Sequence, residues 1–360
     1  MRRKPYGRTG KEISVVSFGG MRFEHPEDVD ANAEVVTHAF RRGMNYFDTA
    51  PGYHGGKSEE IFGAAFAHLP REEFYVSTKS MAADAGGLRE DLETSLERMK
   101  LQRIDFFHIW CLVHPRQWAE RKAGGAVDAA LKARDEGLIG HLVVSAHLSG
   151  PEICAVLDEG VFEGLTVGYC ALNFPYRGEA LSCAAGHGLG VVTMNPLGGG
   201  LIPANADRLD FLKGADDRTV VEAAIRFNVS QDAITSALVG CTTVDHVDQA
   251  VDAVEGFTAY GPEHVERVKR QVDVSFDGFC TMCGYCLPCP ADVEISKLME
   301  AYNWKILGEG DAGIRDRLKW HWDLAPDAAA ACVECGECEE RCTQHLPIRE
   351  RLKHIAGLDA

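Results

Sequence analysis

The chain has 360 residues and 46% hydrophobic content, enough for one large globular domain with a sizeable core and a small second one. With 54 acidic against 37 basic residues its formal charge is −17, which argues against a nucleic-acid partner, since phosphate is met by concentrated Lys and Arg. No apolar stretch follows the basic start M-R-R-K-P-Y-G-R-T-G, and no run approaches the ~18 apolar residues of a membrane span, so a cytoplasmic protein with no membrane contact is expected.

Residues 6–15, beginning Y-G-R-T-G, read as a small hairpin. Strand candidates then begin at Val15 (V-V-S-F-G), Asn45 (N-Y-F-D), Phe74 (F-Y-V-S-T-K), Ile104 (I-D-F-F-H-I-W), His141 (H-L-V-V-S), Leu165 (L-T-V-G-Y), Gly190 (G-V-V-T-M-N) and Ala237 (A-L-V-G). Between them lie amphipathic helix candidates at 33–42, 57–69, 87–99, 126–136 and 219–227. Strands alternating with helices imply parallel pairing by crossovers, and eight such units in about 250 residues make an α/β fold of the (β/α)8 TIM-barrel kind. The hairpin at 6–15 would close the barrel floor. An open doubly wound sheet is the alternative, but no G-x-G-x-x-G comes after the first strand to support it.

After Phe257 the character changes: a charged helix at 262–274, a cysteine run, a polar helical spacer at 293–319, a second cysteine run, and a short helix at 348–354. The domains expected are therefore a barrel over 1–274 and a small domain over 275–360. The latter is too small to hold a core by burial alone, so metal clusters are expected to staple it.

Eight of the thirteen cysteines fall in those two runs. C-T-M-C-G-Y-C-L-P-C-P carries Cys280, Cys283, Cys286 and Cys289; C-V-E-C-G-E-C-E-E-R-C carries Cys332, Cys335, Cys338 and Cys342. Three thiolates two residues apart can wrap one compact cluster, and a fourth further on can reach a neighbouring one, so the spacing favours two [4Fe–4S] clusters. Zinc is the main rival, although its knuckles usually come as two Cys-x-x-Cys pairs; a disulfide framework is less favoured. By analogy with two-cluster ferredoxins, the last cysteine of each run is expected to cross over, grouping Cys280, Cys283, Cys286 and Cys342 against Cys332, Cys335, Cys338 and Cys289. Cys111, Cys154, Cys170, Cys183 and Cys241, scattered among apolar neighbours, read as small buried thiols.

Active sites of such barrels lie at the C-terminal ends of the strands. There the second strand ends in Asp48, with Tyr53 shortly after it, and the third ends in Lys79. The motif F-D-T-A-P-G-Y-H-G-G-K-S-E-E-I-F-G from Phe47 resembles the signature of the aldo/keto reductases, as do Y-G-R-T-G at Tyr6 and N-P-L-G-G-G at Asn195. C-G-Y-C-L-P-C-P from Cys283 resembles the tail of that family's iron–sulfur-containing branch, which ends in a mostly helical ferredoxin-like domain. The resemblance implies a catalytic group of Asp48, Tyr53 and Lys79. Hydride delivery to a carbonyl leaves an alkoxide that needs a proton donor, and a phenol serves near neutral pH only when a cation stabilises its anion. Lys79 would supply that cation, and Asp48 would hold the lysine.

The family's fourth member, a histidine in D-x-x-x-x-H, is replaced: D-F-F-H-I-W from Asp105 puts Trp110 there. Trp110 is expected to wall the substrate pocket or stack on a flat substrate, which argues against ordinary aldehyde reduction. His108, two residues earlier, should point to the same side one layer deeper. His114 reads as a solvated loop residue, and His147, at a strand end, as the better pocket candidate. The resemblance also implies NADP or NAD as cofactor, with contacts from Ser145, Tyr169, Asn195, Leu197, Gly198, Gly240, Thr242 and Thr243. Tyr169 stands where the family has Gln, and no arginine or lysine clamp for a 2′-phosphate is visible in C-T-T-V-D-H from Cys241, where His246 is the one candidate.

The leading function is thus an NAD(P)-dependent oxidoreductase passing hydride between nicotinamide and a small-molecule carbonyl or hydroxyl substrate, with two appended clusters. The clusters are either structural or serve a one-electron carrier such as ferredoxin. The alternative is an iron–sulfur electron-transfer protein whose barrel has left carbonyl chemistry and binds no nicotinamide.

Overall fold

A hairpin of β1 (Arg3–Pro5) and β2 (Glu12–Ser14) opens the chain, antiparallel with Arg3 opposite Ser14. The structure, a computed structural model, describes residues 1–275 and 278–358. The eight apolar runs become β3 (Val16–Gly19), β4 (Tyr46–Asp48), β5 (Tyr75–Ser80), β6 (Ile104–Leu112), β7 (Ile139–Ala146), β8 (Gly164–Gly168), β9 (Gly190–Met194) and β10 (Ser236–Val239). They close into a parallel barrel in the order β10-β3-β4-β5-β6-β7-β8-β9. Burial on both faces explains why these strands read as near-continuous apolar runs.

Tyr6, carried on the hairpin loop, plugs the barrel interior, its ring 4.4 Å from that of Phe106 and wholly buried. This plug dictates the residues that open β8 and β9. A β-carbon on Gly164 would stand 2.1 Å from the Tyr6 hydroxyl, and one on Gly190 2.3 Å from its ring, so neither strand can begin with a side chain.

The outer helices of the barrel unit are α1 (Val29–Arg41), α2 (Lys57–Phe66), α3 (Ala85–Met99), α4 (Pro115–Ala123), α5 (Ala126–Asp135), α6 (Gly150–Leu157) and α7 (Phe174–Gly186). After the short α8 (Leu201–Ala204) come α9 (Val220–Val229) and α10 (Val244–Asp252). Cys154 on α6 and Cys183 on α7 are joined as a disulfide, a correction to their reading as buried thiols. The two helices pack side by side, bringing the Cα atoms to 5.7 Å. Among the described residues no helix is long and apolar enough to cross a membrane.

The chain divides into two compact units. Met1–Leu197 with Leu212–Gly261 form one; Gly198–Phe211 with Pro262–Ala360 form the other. The second contains α11 (Pro262–Ser275), α12 (Ile295–Trp304), α13 (Gly310–Arg317), α14 (Glu337–Glu340) and α15 (Ile348–Ala356). The helical spacer expected over 293–319 is helical in pieces, interrupted at Gly308 and Gly310 with φ +96° and +62°. This unit does assemble an apolar core, with Leu298, Met299, Ile314, Leu318, Leu352 and Ile355 packed around the buried Cys338 and Cys342. Glu300 ties α12 to the following turns, accepting from Arg317 Nε at 2.9 Å and Trp322 Nε1 at 2.8 Å. The domain limit expected at 274/275 adjoins residues 276–277, which lie outside the described residues.

Candidate active site and cysteine centres

Asp48 ends β4 and pairs in register with Ser77 on β5, which puts Lys79, two residues further along the same face, above it. Lys79 Nζ donates to both Asp48 carboxylate oxygens at 2.6 Å, and Ser77 Oγ donates to Oδ2 at 2.5 Å. Burial pulls the Lys79 pKa below the usual lysine range, against the upward pull of the Asp48 charge. Tyr53 opens a single tight turn, Tyr53–Gly56, and is half-buried; its ring centroid lies 5.5 Å from Lys79 Nζ. The three residues singled out from the sequence therefore meet. Such a set can hold a phenol beside a cation that favours its ionised form.

Trp110 closes one side of this group, edge-on to Tyr53 at 5.6 Å between ring centroids and 85° between planes. Its aim comes from an irregularity at the end of β6. The register with β7 shifts between Ile109 and Leu112, and Cys111 adopts φ +61°. A bulge of this kind re-aims a strand's side chains, and a non-glycine residue at positive φ is uncommon enough to mark a site. His108 lies level with Lys79 across the β5–β6 pair and is wholly buried. Neither of its ring nitrogens has a hydrogen-bond partner among the described residues, and burial drives its pKa well below the ordinary value, keeping it neutral. His147 is buried just past β7, its backbone N–H bonded to Leu112 O at 2.7 Å. His114 caps the start of α4.

Sequence reasoning passed over Arg177, a charged side chain 1% exposed. Its guanidinium donates to Gly168 O at 2.8 Å, His147 O at 2.9 Å and Leu148 O at 3.3 Å, so it fixes the chain where β7 and β8 end. The signal was faint: one arginine beside a proline and aromatics in F-P-Y-R.

Among the residues expected to hold a dinucleotide, Ser145 is buried and its hydroxyl has no partner among the described residues. Tyr169 stacks on Phe227 at 6.3 Å, and burial raises its pKa. Beyond β9, Asn195 takes φ +57°, Leu197 is half-buried, and Gly198, Gly199 and Gly200 come next at φ +63°, +70° and +102°. Beyond β10, Thr243 caps α10 through its side chain, accepting from His246 N, and Thr242 Oγ1 lies 2.9 Å from His246 Nδ1. Gly240 is exposed and carries a residue that sequence reasoning missed: a β-carbon there would stand 2.9 Å from Arg22 Cγ, so the arginine after β3 crosses this segment. Within the barrel unit, the buried Ser145 hydroxyl and the Arg22 guanidinium beside Gly240 suit an amide-bearing, phosphate-bearing cofactor.

In the C-terminal unit, burial raises the Cys280 thiol pKa and pushes Cys286 up to about 12, and the neighbouring Cys283 and Cys342 sulfurs add to both shifts. A cavity is lined by Cys289, Cys332, Cys335 and Cys338, with Cys286, Val333 and Arg349 at its wall. Backbone N–H groups of Met282, Glu334 and Leu346 point at the sulfurs of Cys280, Cys332 and Cys342, each at 3.4 Å. Donors of this kind stabilise thiolate charge and tune iron–sulfur centres. Among the described residues no three His, Cys, Asp or Glu gather around a single-ion site.

Known proteins resemble the chain in two successive stretches. The model of the aldo/keto reductase family matches residues 15–272, and that of the 4Fe-4S dicluster domain matches 279–347. An L-galactose dehydrogenase of Arabidopsis thaliana is 27% identical over 289 residues, covering 71% of this chain and 88% of that protein. An NADH-specific methylglyoxal reductase of Escherichia coli is 27% identical over 240 residues, covering 59% and 72%. An aldo-keto reductase from Klebsiella pneumoniae, solved in complex with NADPH, superposes with a TM-score of 0.63 at 20% identity over 76% of this chain and 96% of its own. One from Bacillus halodurans gives 0.65 at 21%, over 75% and 96%.

Proposed function

This chain belongs to the aldo/keto reductase family, an oxidoreductase barrel with a 4Fe-4S dicluster domain behind it, and we propose that it moves hydride between a nicotinamide dinucleotide and a small carbonyl or hydroxyl compound. The single observation that carries the reading is the buried Asp48–Lys79 pair beneath the Tyr53 ring. Nicotinamide, when bound, supplies or accepts the hydride. Tyr53 gives the proton to the developing alkoxide in reduction and takes it in oxidation; Lys79 stabilises the phenolate left behind, and Asp48 fixes the lysine. Trp110 stands in place of a carbonyl-orienting histidine and shapes the pocket for a flat substrate, with His147 as a second wall. The neutral, wholly buried His108 does not replace the missing histidine at the surface of the site.

Ser145 and Tyr169 are assigned to the carboxamide end of the cofactor, Asn195, Leu197 and Gly198 to its pyrophosphate, and Gly240, Thr242 and Thr243 to the adenosine side, where Arg22 adds a cation. Two relatives support a nicotinamide: the reductase from Escherichia coli is named NADH-specific, and the one from Klebsiella pneumoniae was solved with NADPH.

Two [4Fe–4S] clusters are assigned to the cysteines, one on Cys280, Cys283, Cys286 and Cys342, the other on Cys332, Cys335, Cys338 and Cys289. The mutual influence of the first set and the cavity lined by the second support this crossed grouping. Their role is architectural, since hydride moves as an electron pair, four-iron centres pass single electrons, and Cys338 and Cys342 sit in the core of the unit.

Titrating the anaerobically purified protein with NADPH and with NADH, following nicotinamide fluorescence and cluster absorbance together, tests nicotinamide binding and the role assigned to the clusters. Saturable binding of at least one nucleotide with unchanged cluster absorbance is expected. No binding of either would leave an electron-transfer protein with a silent barrel, and bleaching of the clusters would make them redox partners.

A further inference from the structure

We propose that Cys154 and Cys183 form a thiol–disulfide exchange site, opened by a dithiol reductant and closed again by its oxidised form, whose state sets how firmly the ends of β7 and β8 are held. Both sulfurs, the helices that carry them and the two strand ends belong to the barrel unit.

The bond is within reach of solvent. Cys154 and Cys183 are both partly exposed, and Cys154 Sγ lies 3.9 Å from the Glu179 carbonyl oxygen at the surface. Access of this kind separates labile disulfides from buried structural ones. The dicluster domain of the same chain needs its cysteines as thiols to take up iron, and those include Cys-x-x-Cys neighbours able to join as disulfides. Surroundings reducing enough to keep them open also reach an accessible bond, so this pair is switched rather than permanently closed.

The two helices it joins lead directly from the strand ends. Helix α6 begins just after His147 and Leu148, which follow β7, and α7 begins a few residues after Gly168 ends β8. Arg177 on α7 reaches across to His147 O, Leu148 O and Gly168 O, so its grip on both strand ends depends on where α7 lies against α6. Cys183 stands about two turns further along the same helix. At the near end the helices touch: a β-carbon on Gly150 would stand 2.8 Å from the Glu179 β-carbon. At the far end His187 Nε2 lies 2.9 Å from Asp158 Oδ1, an exposed pair of the kind that contributes little. The disulfide is the covalent tie between these contacts, and opening it returns to α6 and α7 a freedom that neither contact removes.

In the forward step a thiolate of the dithiol attacks one sulfur and releases the other. Its second thiol then displaces the mixed disulfide. The protein gains two electrons and two protons as Cys154 and Cys183 thiols, and the dithiol leaves as a cyclic disulfide.

The test holds the anaerobically purified, cluster-bearing protein in mixtures of reduced and oxidised dithiothreitol, traps free thiols with iodoacetamide and maps them by mass. A crosslinked Cys154–Cys183 peptide is expected in the oxidised mixture, and its replacement by two alkylated cysteines in the reduced one, with no denaturant and unchanged cluster absorbance. Hydrogen exchange is read on the same samples. Amides of the segments carrying His147 and Tyr169, which bond Leu112 O and Met194 O, should exchange about fivefold faster or more in the reduced protein, the lower end of ordinary coupling between sites. That of Thr49, bonded to Ser77 O on the β4 side, should not change. Cys183→Ser should show the fast exchange in both mixtures; if that variant does not fold, the wild-type comparison decides alone. A crosslink that opens only in denaturant, or none in the oxidised protein, overturns the exchange site. Opening without faster exchange at His147 and Tyr169 overturns its hold on the strand ends. Neither readout uses a nucleotide, so failure of the nicotinamide reading is seen separately, in the fluorescence titration.

Discussion

Lys79 and Asp48 form a two-pronged ion pair, both N···O distances 2.6 Å, with the side chains only 3% and 4% exposed. A buried pair of this kind is weak evidence for stability, because desolvation offsets most of the attraction. Its value here is positional: it holds a cation under a half-buried phenol.

Tyr53→Phe removes one hydroxyl from a half-buried ring and leaves the contacts with Trp110 and Lys79 in place. Turnover is expected to drop by roughly a hundredfold or more, the usual scale for a lost general acid, with an unchanged melting temperature. Full activity in steady-state assays of that variant would remove Tyr53 from the chemistry.

Asp48→Asn takes away the charge that opposes the burial-driven lowering of the Lys79 pKa. That pKa then falls further, so the alkaline limb of kcat/KM should move to lower pH. Stability has the same sign. The folded pKa lies below the ordinary 10.5, so the unfolded chain binds more protons in the window between them, and wild-type stability should rise as pH climbs through it. Denaturant melts across that window, alongside pH–rate profiles, check both statements.

Trp110 presses edge-on against Tyr53 at a bulged strand end. Trp110→His should restore a carbonyl-orienting donor and raise the reduction of small test aldehydes, at the expense of the native substrate. If neither rate moves, Trp110 is packing alone.

Cys342 is buried, and Leu346 N–H bonds its sulfur at 3.4 Å. Wild-type protein should hold about eight irons per chain, and Cys342→Ser should damage the cluster built on Cys280, Cys283 and Cys286. Electron paramagnetic resonance of the reduced variant distinguishes this from damage to the other centre, which would mean that each run binds its own cluster.

Arg177 satisfies three buried carbonyls at the ends of β7 and β8. Arg177→Met keeps much of its length but leaves those oxygens unpaired, at a cost of about 3 kcal/mol or more by the usual penalty for unsatisfied buried groups. A loss under 1 kcal/mol in chemical denaturation would contradict that role.

The eight strands could be read from residue pattern, because each is a short β-branched or aromatic run buried on both faces, and turn residues bound such runs. So could the meeting of Asp48, Lys79 and Tyr53, since strand ends in a parallel barrel converge on one rim. Helices α4 and α7 were not legible. Trp118 is the one large apolar residue in P-R-Q-W-A-E-R-K-A, and α7 contains Pro175 and Gly178, so neither shows a clean apolar stripe. The remaining features emerge only when the chain is folded. Arg22 crosses Gly240, Arg177 gathers carbonyls from two strands, Cys154 meets Cys183 on the next helix, and Gly199 meets Thr281. Each of these joins residues well separated in the chain. Local pattern carries no information about which distant backbone will lie within a few ångströms; packing sets that distance, and with it the shape of the site.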